Sequence, residues 1–431
     1  MKVVIVGAGP AGLFAAHTLS KNNEVTILEK RGFVGGSGLH SDGKLNFHPK
    51  IGGDLTEFMP EGEAWALVYG IRDLFKGLGV ELAQTDEEGL KQLEYEASKA
   101  GIKFVKIEQN HIGSDHLPDV MARMEKRLKE QGVDIKLKTS AENIVVEEGK
   151  VTAVENNDES FKADATLLTP GRIGSGWLIE QMNKLKVGMK YNPIDVGVRV
   201  EVPNEVMDKV IHGYGCWDPK FHLFTPSYDD FVRTFCVCPA GFVVTEHYGD
   251  DLFGANGHSM RDTKSANTNF ALLTRVSLTE PLENTTQYGK HIAQLSNTLG
   301  GKKPILQRLG DLRKYQRSTW DRLKRSHITP TLEKVTPGDL TMAYPRRIVT
   351  DIMEGLEMLD KVMPGVNADS TLLYGPEIKF YAMRIHTDKQ LRTSIPNLYV
   401  AGDGAGVSRG IVGAAATGLV AARGIAEQLN G

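Results

Sequence analysis

Cysteine is scarce in this chain, with three residues among 431. So few cysteines, in odd number, argue against a disulfide-stapled secreted scaffold and favour a reducing compartment. Cys236 and Cys238 have no further His or Cys nearby at zinc spacing, so we expect no metal site. An excess of one charge is also missing: the net charge is −3, which gives no electrostatic reason to expect nucleic acid as a partner.

Long hydrophobic runs are missing as well. No uninterrupted apolar run approaches the ~20 residues of a membrane span, and the closest, Gly410 to Ala422, consists mainly of small residues. Met1 stands directly before an apolar strand, which leaves no room for a signal peptide. We therefore expect a cytoplasmic protein without a membrane span. A composition of 41% hydrophobic and 24% charged residues predicts two or three globular domains, and the oligomeric state stays open.

Glycines near the N-terminus form a Gly-x-Gly-x-x-Gly pattern between an apolar strand and a helix-like segment. The first glycine permits a tight turn, the second lets the backbone approach a pyrophosphate, and the third allows close helix–strand packing. The helix N-terminus then presents free N–H groups to the phosphates. The pattern predicts a dinucleotide site at Gly7, Gly9, Pro10, Ala11 and Gly12.

A second strand, residues 24–28, ends at Glu29, about twenty residues after the glycines. A carboxylate there accepts hydrogen bonds from both ribose hydroxyls and repels a 2′-phosphate. The N-terminus therefore predicts binding of the ADP half of FAD or NAD and disfavours NADP. Lys30, the next residue, is included in the predicted site.

The C-terminal segment distinguishes FAD from NAD. Residues 395–406 form a strand entering a glycine turn with an acid in it, and residues 410–416 open a helix of small residues. This resembles the second FAD signature of the glutathione-reductase-type flavoproteins. The resemblance implies that Asp403 holds the ribityl chain and that the next helix points its N-terminus at the flavin. The residues implied in this part of the site are Gly402, Asp403, Gly410, Ile411 and Val412.

The middle of the first half agrees with that resemblance. The apolar strand 165–168 runs into Thr169, Pro170 and Gly171, and resembles the segment that crosses near FAD, with Pro170 as a departure. A strand at 134–138 and a hairpin at 143–154 precede it. In the family this region supplies a backbone contact to adenine, which maps to Ala141.

A loop rich in glycine and polar residues, 35–46, follows Glu29 at the spacing where flavoproteins wrap around the pyrophosphate. Its sequence, together with 235–241 and 375–377, resembles a family of uncharacterised FAD-dependent dehydrogenases. The resemblance covers most of the chain and names no substrate. The loop residues predicted to bind the cofactor are Gly36, Ser37, Gly38, Ser41, Asp42, Gly43 and Leu45.

Three cations are candidate catalytic or substrate-binding residues. Lys44 beside the flavin could tune its potential or act as an acid; alternatively it neutralises pyrophosphate or pairs with Asp42. Arg384, on a strand predicted over 379–386, and Arg409 could anchor an anionic substrate by bidentate contacts; alternatively they form interdomain salt bridges. Cys236 and Cys238 project from one face of a strand, either as a redox pair or as buried, inert thiols.

Further elements are predicted from periodicity. Two helices lie within 67–99 around 77–79, and another spans 120–131. Strands are predicted at 194–203, 231–238, 241–245 and 269–276, and a basic helix-like stretch at 286–325.

The sequence thus predicts an α/β protein. A Rossmann-like FAD-binding domain, with a parallel sheet, helices and a small β-meander, spans 1–193 and 342–431, and a β-rich substrate or cap domain is inserted at 194–341. No second glycine fingerprint occurs mid-chain, which disfavours a separate NAD(P)H domain. We expect an FAD-dependent dehydrogenase or reductase that transfers a hydride between flavin N5 and a small organic substrate, with an unknown electron donor or acceptor. The alternatives are a geranylgeranyl-reductase-like isoprenoid reductase and a non-catalytic FAD-binding redox sensor or assembly module.

Overall fold

The structure is a computed structural model that describes residues 1–40, 43–83, 85–113, 116–249, 251–260 and 263–430, with the side chains of Ser37, His40 and Asn430 outside the description. The chain divides into two compact units. Unit 1 contains Met1–Ala83, Ile107–Asn192 and Tyr381–Gly431, and unit 2 contains Gln84–Lys106 and Pro193–Phe380.

The strands, in chain order, are β1 Lys2–Val6, β2 Glu24–Glu29, β3 Lys44–Phe47, β4 Lys103–Phe104, β5 Glu108–His111, β6 Asp134–Leu137, β7 Asn143–Glu147, β8 Lys150–Glu155, β9 Ser160–Lys162, β10 Ala165–Leu168, β11 Met189–Lys190, β12 Ile194–Pro203, β13 Phe221–Phe224, β14 Phe231–Cys238, β15 Phe242–Gly249, β16 Leu252–His258, β17 Asn267–Val276, β18 Ile305–Arg308, β19 Thr336–Pro337, β20 Leu372–Lys379, β21 Arg384–Ile385 and β22 Leu398–Val400.

The α-helices are α1 Pro10–Leu19, α2 Glu61–Gly77, α3 Glu87–Lys99, α4 Leu117–Glu130, α5 Ser175–Lys184, α6 Asn204–Asp208, α7 Thr285–Gly300, α8 Leu309–Arg313, α9 Trp320–Lys324, α10 Arg346–Asp360 and α11 Gly410–Asn430.

Unit 1 is built on a parallel sheet in the order β22-β10-β1-β2-β6. Strands β1, β10 and β22 are short, mainly apolar runs buried on both faces, as expected for a parallel sheet covered by helices. The registers pair Val6 with Leu28 and with Leu168, and Leu168 with Val400. The carboxyl ends of β1, β2, β10 and β22 therefore meet at one edge, where open α/β sheets bind their ligands.

Helices α1 and α11 pack closely because small residues face each other. Ala15, Ala16, Ala415 and Ala416 are fully buried. A Cβ at Gly418 would stand 2.1 Å from the carbonyl oxygen of Ala11, so only glycine lets the two backbones approach this far. The antiparallel sheet β7-β8-β9 forms the predicted meander beside the parallel sheet.

Within the described residues, α11 contains one segment, Gly410–Leu429, that is long and apolar enough to cross a membrane, with a mean hydropathy of 1.2. In this structure 72% of that segment is buried inside the protein. A buried core helix made of small and aliphatic residues meets the same criterion.

Unit 2 is built on a mostly antiparallel sheet in the order β19-β18-β20-β12-β17-β14-β13-β4. Alternation along β12 places Val196, Val198 and Val200 on one face, in the apolar core shared with α7 and α10. The opposite face of the same strand carries the buried polar side chains of Asp195 and Arg199. Unit 2 therefore buries an apolar layer on one side of its sheet and a charged layer on the other.

The sequence predicted that the chain re-enters the FAD-binding domain at residue 342, which differs from the division into units 1 and 2. β20 pairs with β12, and α10 buries its apolar face in the unit 2 core, so the chain returns to unit 1 only at Tyr381. Residues 84–106 also join unit 2, because β4 pairs with β13. Neither feature has a periodicity that assigns it to one domain rather than the other.

Two predicted elements are wrong. The strand expected over 379–386 is absent, because β20 ends at Lys379 and only Arg384 and Ile385 form a short strand paired with β11. The helix-like stretch at 286–325 divides into α7, the strand β18, α8 and α9. β18, with the sequence Ile-Leu-Gln-Arg, lies between β19 and β20, and this tertiary pairing overrides the weak helical pattern. The predicted strand at 231–238 is confirmed.

Candidate functional site

The glycine fingerprint forms the turn between β1 and α1. Gly7 has φ of +101°, and a Cβ there would lie 2.3 Å from the carbonyl oxygen of Thr169. A Cβ at Gly12 would lie 2.1 Å from the carbonyl oxygen of Gly7. A Cβ at Gly9, by contrast, would meet no atom within 4 Å. The turn is therefore closed around Gly7 and Gly12 and open at Gly9, where α1 begins at Pro10 and no side chain caps its N–H groups.

Glu29 is held against this turn at the end of β2. One carboxylate oxygen accepts a hydrogen bond from the backbone N–H of Ala8 at 2.8 Å, and the other accepts from that of Arg31 at 2.8 Å. The side chain is buried, whereas Lys30 is exposed. Each carboxylate oxygen keeps further lone-pair capacity, so the acid is fixed in the place predicted for a ribose contact.

The segment after β10 braces the fingerprint. The Thr169 hydroxyl donates hydrogen bonds toward the carbonyl oxygens of Val6 and Gly7, each at 2.9 Å. Pro170 packs against Gly174, and the carbonyl oxygen of Gly171 stands 2.3 Å from where a Cβ of Gly404 would be. The Thr169–Gly171 turn therefore connects the first glycine motif with the C-terminal one. Ala141 is half-buried at the start of the meander.

Asp403 lies in the turn that follows β22. Its carboxylate accepts hydrogen bonds from the Ser408 hydroxyl at 3.1 Å and from the backbone N–H of Gly410, the first residue of α11, at 3.2 Å. Arg172 approaches the same carboxylate at 4.0 Å. Burial raises the pKa of Asp403, and Arg172 with the Gly410 N–H acts in the opposite direction. Gly402 adopts φ of +80°, with Ala11 of α1 beside it.

The glycine loop after β2 passes the starts of both long helices. A Cβ at Gly36 would lie 3.3 Å from Cα of Gly9. One at Gly38 would lie 3.8 Å from Pro10 and 3.9 Å from Ile411. The N-termini of α1 and α11 therefore converge on this loop.

The other predicted loop residues have different positions. Gly43 adopts φ of +69° against Gly113, and Leu45 is fully buried in the core of unit 1. Ser41, Asp42 and the side chain of Ser37 lie outside the described residues.

The three candidate cations have separate surroundings. Arg384 pairs with Glu57 at 2.6 Å, which matches the salt-bridge alternative, although both residues belong to unit 1. Arg409 immediately precedes α11, and its guanidinium stands 4.6 Å from the centre of the Tyr381 ring. Lys44 is half-buried on β3, opposite His111. Arg409 is therefore the candidate that stands beside Gly410.

Two supporting features escaped the sequence analysis. A Cβ at Gly52 would lie 2.1 Å from the carbonyl oxygen of Arg409, and the backbone N–H of Arg409 donates to the carbonyl oxygen of Gly52 at 2.7 Å. The Asn192 amide donates to the carbonyl oxygens of Ala382 and Gly406 at 2.8 and 2.9 Å. The paired glycines at 52 and 53 were the available signal for the first contact; the second has none in the sequence.

Comparison with protein-family models gives three matches along the chain. Residues 5–42 match the NAD(P)-binding Rossmann-like domain, residues 193–379 match the C-terminal domain of an FAD-dependent protein, and residues 339–431 match glucose inhibited division protein A. The chain has an α/β fold with a Rossmann-like FAD-binding domain, and FAD is its cofactor. The second match coincides with the main segment of unit 2, from Pro193 to Phe380.

The residues present in unit 1 fit FAD. Gly9 and Gly410 each stand at the N-terminus of a long helix, and a Cβ at either position would meet open space. FAD has an adenosine–pyrophosphate end and a flavin end. The N-terminus of α1 could bind the first and the N-terminus of α11 the second.

A curated relative is 27% identical over 99% of this chain and 81% of its own length; it is an uncharacterized protein of Clostridium beijerinckii. Similar solved structures include L-proline dehydrogenase from P. horikoshii, with 14% identity, TM-score 0.44, and coverage of 99% of this chain and 93% of the other. Glycine oxidase from Geobacillus kaustophilus is 14% identical, with a TM-score of 0.38 and coverage of 99% of this chain and 94% of the other. A geranylgeranyl bacteriochlorophyll reductase-like protein from Thermoplasma acidophilum is 12% identical, with a TM-score of 0.39 and coverage of 100% of this chain and 79% of the other. At this level of similarity none of the three transfers its reaction to this chain.

Proposed function

We propose that this chain is an FAD-dependent dehydrogenase or reductase that transfers a hydride between flavin N5 and a small organic substrate. The observation that carries the proposal is the convergence of the α1 and α11 N-termini on the Gly36–Gly38 loop. A protein that only bound the ADP half would need the first helix end alone. When bound, FAD supplies the hydride acceptor or donor.

The chain's own residues have two roles in this proposal. Glu29 and the start of α1 bind the adenosine and pyrophosphate end, while Asp403 and the start of α11 position the other end. The α11 N-terminus also carries a partial positive charge that favours negative charge placed before it.

Arg409 is the proposed anchor for an anionic group on the substrate. Its guanidinium is held over the Tyr381 ring and its backbone is tied to Gly52, so the cation is oriented before the substrate arrives.

The proposal is tested on FAD-loaded protein under anaerobic conditions. The visible flavin bands are followed while NADH, NADPH and a panel of small amino, hydroxy and unsaturated acids are added one at a time. We expect at least one compound to bleach the flavin at a saturating rate. A flavin that no compound reduces, although dithionite reduces it, would favour the non-catalytic binding module.

Substrate anchoring is tested with Arg409→Lys. This variant keeps the charge but loses the planar fork, so we expect KM for the anionic substrate to rise while FAD binding is retained. Arg423→Lys, at an exposed position on the same helix, is the matched control. An unchanged KM in Arg409→Lys would contradict the anchoring role.

A further inference from the structure

Two thiols in unit 2 stand unusually close for residues on one strand. In a regular strand, Cα atoms two residues apart are about 6.6 Å apart, and their side chains project in parallel. Strand β14 departs from that geometry, because its pairing with β17 shifts between Phe235 and Cys238, and Cys236 adopts φ of +48°. The irregularity brings the sulfur atoms of Cys236 and Cys238 to 4.0 Å.

A buried guanidinium stands beside this pair. Nη2 of Arg199 lies 3.2 Å from Sγ of Cys238 and donates to the carbonyl oxygen of Cys236 at 2.6 Å, while its Nε donates to Asn269 at 2.7 Å. The guanidinium also fills the space beside Gly257, where a Cβ would lie 1.6 Å from Nη2. The cation is therefore fixed next to the thiols by the strands on either side of it.

The charge of Arg199 is maintained despite complete burial. Burial acts to lower its pKa, but Glu377, Cys238 and Cys236 raise it overall. Glu377 lies 3.5 Å from Nη1 of Arg199 and 3.0 Å from the ammonium of Lys379. A permanent cation beside a thiol stabilises its thiolate, the form that attacks disulfides.

The third cysteine offers a contrast within the same unit. Cys216 is buried, and burial raises the pKa of its thiol to about 12. Cys238 is buried too, but it touches Cys236, which is only partly buried and gives the pair access to solvent. The two thiols of β14 therefore combine proximity, a neighbouring cation and access. Cys216 is buried, and the pKa of its thiol stays raised even though Lys220 acts to lower it.

We propose that Cys236 and Cys238 form a redox-active dithiol site that small-molecule disulfides oxidise to an intramolecular disulfide. The Cys236 thiolate attacks one sulfur of the small disulfide, giving a mixed disulfide and releasing one small thiolate. The Cys238 thiolate then attacks the sulfur of Cys236, closing the bond and releasing the second. The two cysteine protons end on the two released thiols, so two cysteines are oxidised and one small disulfide is reduced.

The test uses FAD-loaded, full-length protein incubated with glutathione disulfide. The reaction is quenched in acid and the remaining thiols are alkylated under denaturing conditions. The protein is then digested, and the masses of the peptides are measured by mass spectrometry. We expect the peptide with Cys236 and Cys238 to lose two hydrogens and take up no alkyl group, while Cys216 is fully alkylated. Dithiothreitol should restore both thiols. Full alkylation of all three cysteines, or loss of Cys216 at the same rate, would overturn the proposal.

Single substitutions separate the two steps. In Cys238→Ser the second attack is impossible, so Cys236 should accumulate as a stable mixed disulfide with glutathione. The matched control Cys216→Ser should close the Cys236–Cys238 bond as the unsubstituted chain does. A Cys238→Ser protein that takes up no glutathione would contradict the role of Cys236 as the attacking thiol.

The influence of Arg199 is tested through its neighbour, which avoids removing a buried charge. Asn269→Asp places a carboxylate at the Nε contact and draws the guanidinium charge away from Cys238. We expect the pH midpoint of disulfide closure to rise, with about tenfold slower closure below that midpoint for each pKa unit. An unchanged pH profile in a folded, FAD-loaded variant would contradict the assignment to Arg199.

Discussion

The carboxylates of Glu29 and Asp403 each accept a backbone N–H hydrogen bond, and we propose that they contact opposite ends of FAD. Glu29 joins the first glycine turn to the end of β2, and Asp403 joins the last turn to the start of α11. Each is therefore positioned by the two elements that a bound dinucleotide would contact. Because the same carboxylates hold the turns and are proposed to contact FAD, we expect the stability of the turns and the affinity for FAD to be linked.

The first prediction concerns Glu29. Glu29→Gln removes the charge while keeping one acceptor, so FAD affinity should fall by about 1–3 kcal/mol, which is roughly five- to 150-fold in Kd. Fluorescence titration of the apoprotein with FAD measures this. Glu24→Gln, an exposed position at the start of the same strand, should leave Kd unchanged. Equal Kd in Glu29→Gln and the unsubstituted protein would remove Glu29 from the ribose site.

The second prediction concerns His222 in unit 2. Burial, together with the positive charges of Arg233, Arg275, Lys103 and Lys220, lowers its pKa from 6.5 to about 4. The folded state holds the imidazole neutral while the unfolded state binds a proton below pH 6.5. Stability from this group is therefore present above pH 6.5 and is lost as the pH falls toward 4.

His222→Gln should remove this part of the pH dependence. Urea unfolding at pH 7 and pH 5 should show that the unsubstituted chain loses about 1–2 kcal/mol more than the variant over that interval. His212→Gln, at an exposed position of the same unit, is the control. A variant that loses as much stability as the unsubstituted chain would contradict the burial of a neutral His222.

At the scale of single residues, the sequence predicted the fingerprint glycines and Glu29 through spacing alone. It missed the bond from Asn192 to Ala382 and Gly406, because long-range contacts between loops leave no local pattern. It also could not separate Arg384 from Arg409. The partner of Arg384 is Glu57, far away along the chain, and only the folded structure brings the two together.

At the scale of elements, the close packing of α1 on α11 requires a residue without a side chain, Gly418, at the contact. Gly418→Ala should force the helices apart, because its Cβ would lie 2.1 Å from the Ala11 carbonyl oxygen. We expect a loss of about 1–3 kcal/mol of unfolding free energy, as for other overpacked cores. Thermal unfolding of FAD-free protein measures it without the contribution of ligand binding.

The matched control is a glycine of α2 with free space around it. A Cβ at Gly70 meets no atom within 4 Å, so Gly70→Ala should stabilise unit 1 by about 0.4–1 kcal/mol by restricting the unfolded chain. Opposite signs for the two substitutions support close helix packing at Gly418. A neutral Gly418→Ala would mean that the helices are farther apart than described.

Elements with a local signature were predictable, and those made by pairing were not. The strand–glycine–helix unit of residues 2–19 has its own turn chemistry and period, and it forms where expected. Residues 379–386 alternate like a strand, but β20 ends at Lys379, which pairs with Asp195 near the start of β12. Strand identity at an element's end is decided by the neighbouring strand, which the sequence does not specify.

At the scale of the whole molecule, the chain passes between two units that each have their own core. The FAD contacts that we propose lie in unit 1. Adding FAD should slow hydrogen exchange at residues 6–12 and 402–413, while exchange in the β12 and β17 core stays unchanged. Binding raises the free energy of those openings that release the ligand, by about 2.7 kcal/mol at a hundredfold excess over Kd. Exchange-coupled mass spectrometry checks this, and equal protection of both units would contradict it.

The domain boundaries were the hardest prediction at this scale. Residues 342–380 follow the β-rich segment without a turn-rich linker, and β20, which is buried along its whole length, would suit either sheet. Its pairing with both β12 and β18 places it in unit 2. Composition gives the number of domains, but only strand pairing gives their limits.

The central claim is that one FAD lies between the two helix ends, with adenosine at Glu29 and the ribityl chain at Asp403. The most direct measurement compares the Kd values of FAD and ADP-ribose in Glu29→Gln and Asp403→Asn. Glu29→Gln should weaken both ligands, whereas Asp403→Asn should weaken FAD and leave ADP-ribose unchanged. Equal weakening of both ligands by Asp403→Asn, or no effect on FAD, would contradict the account.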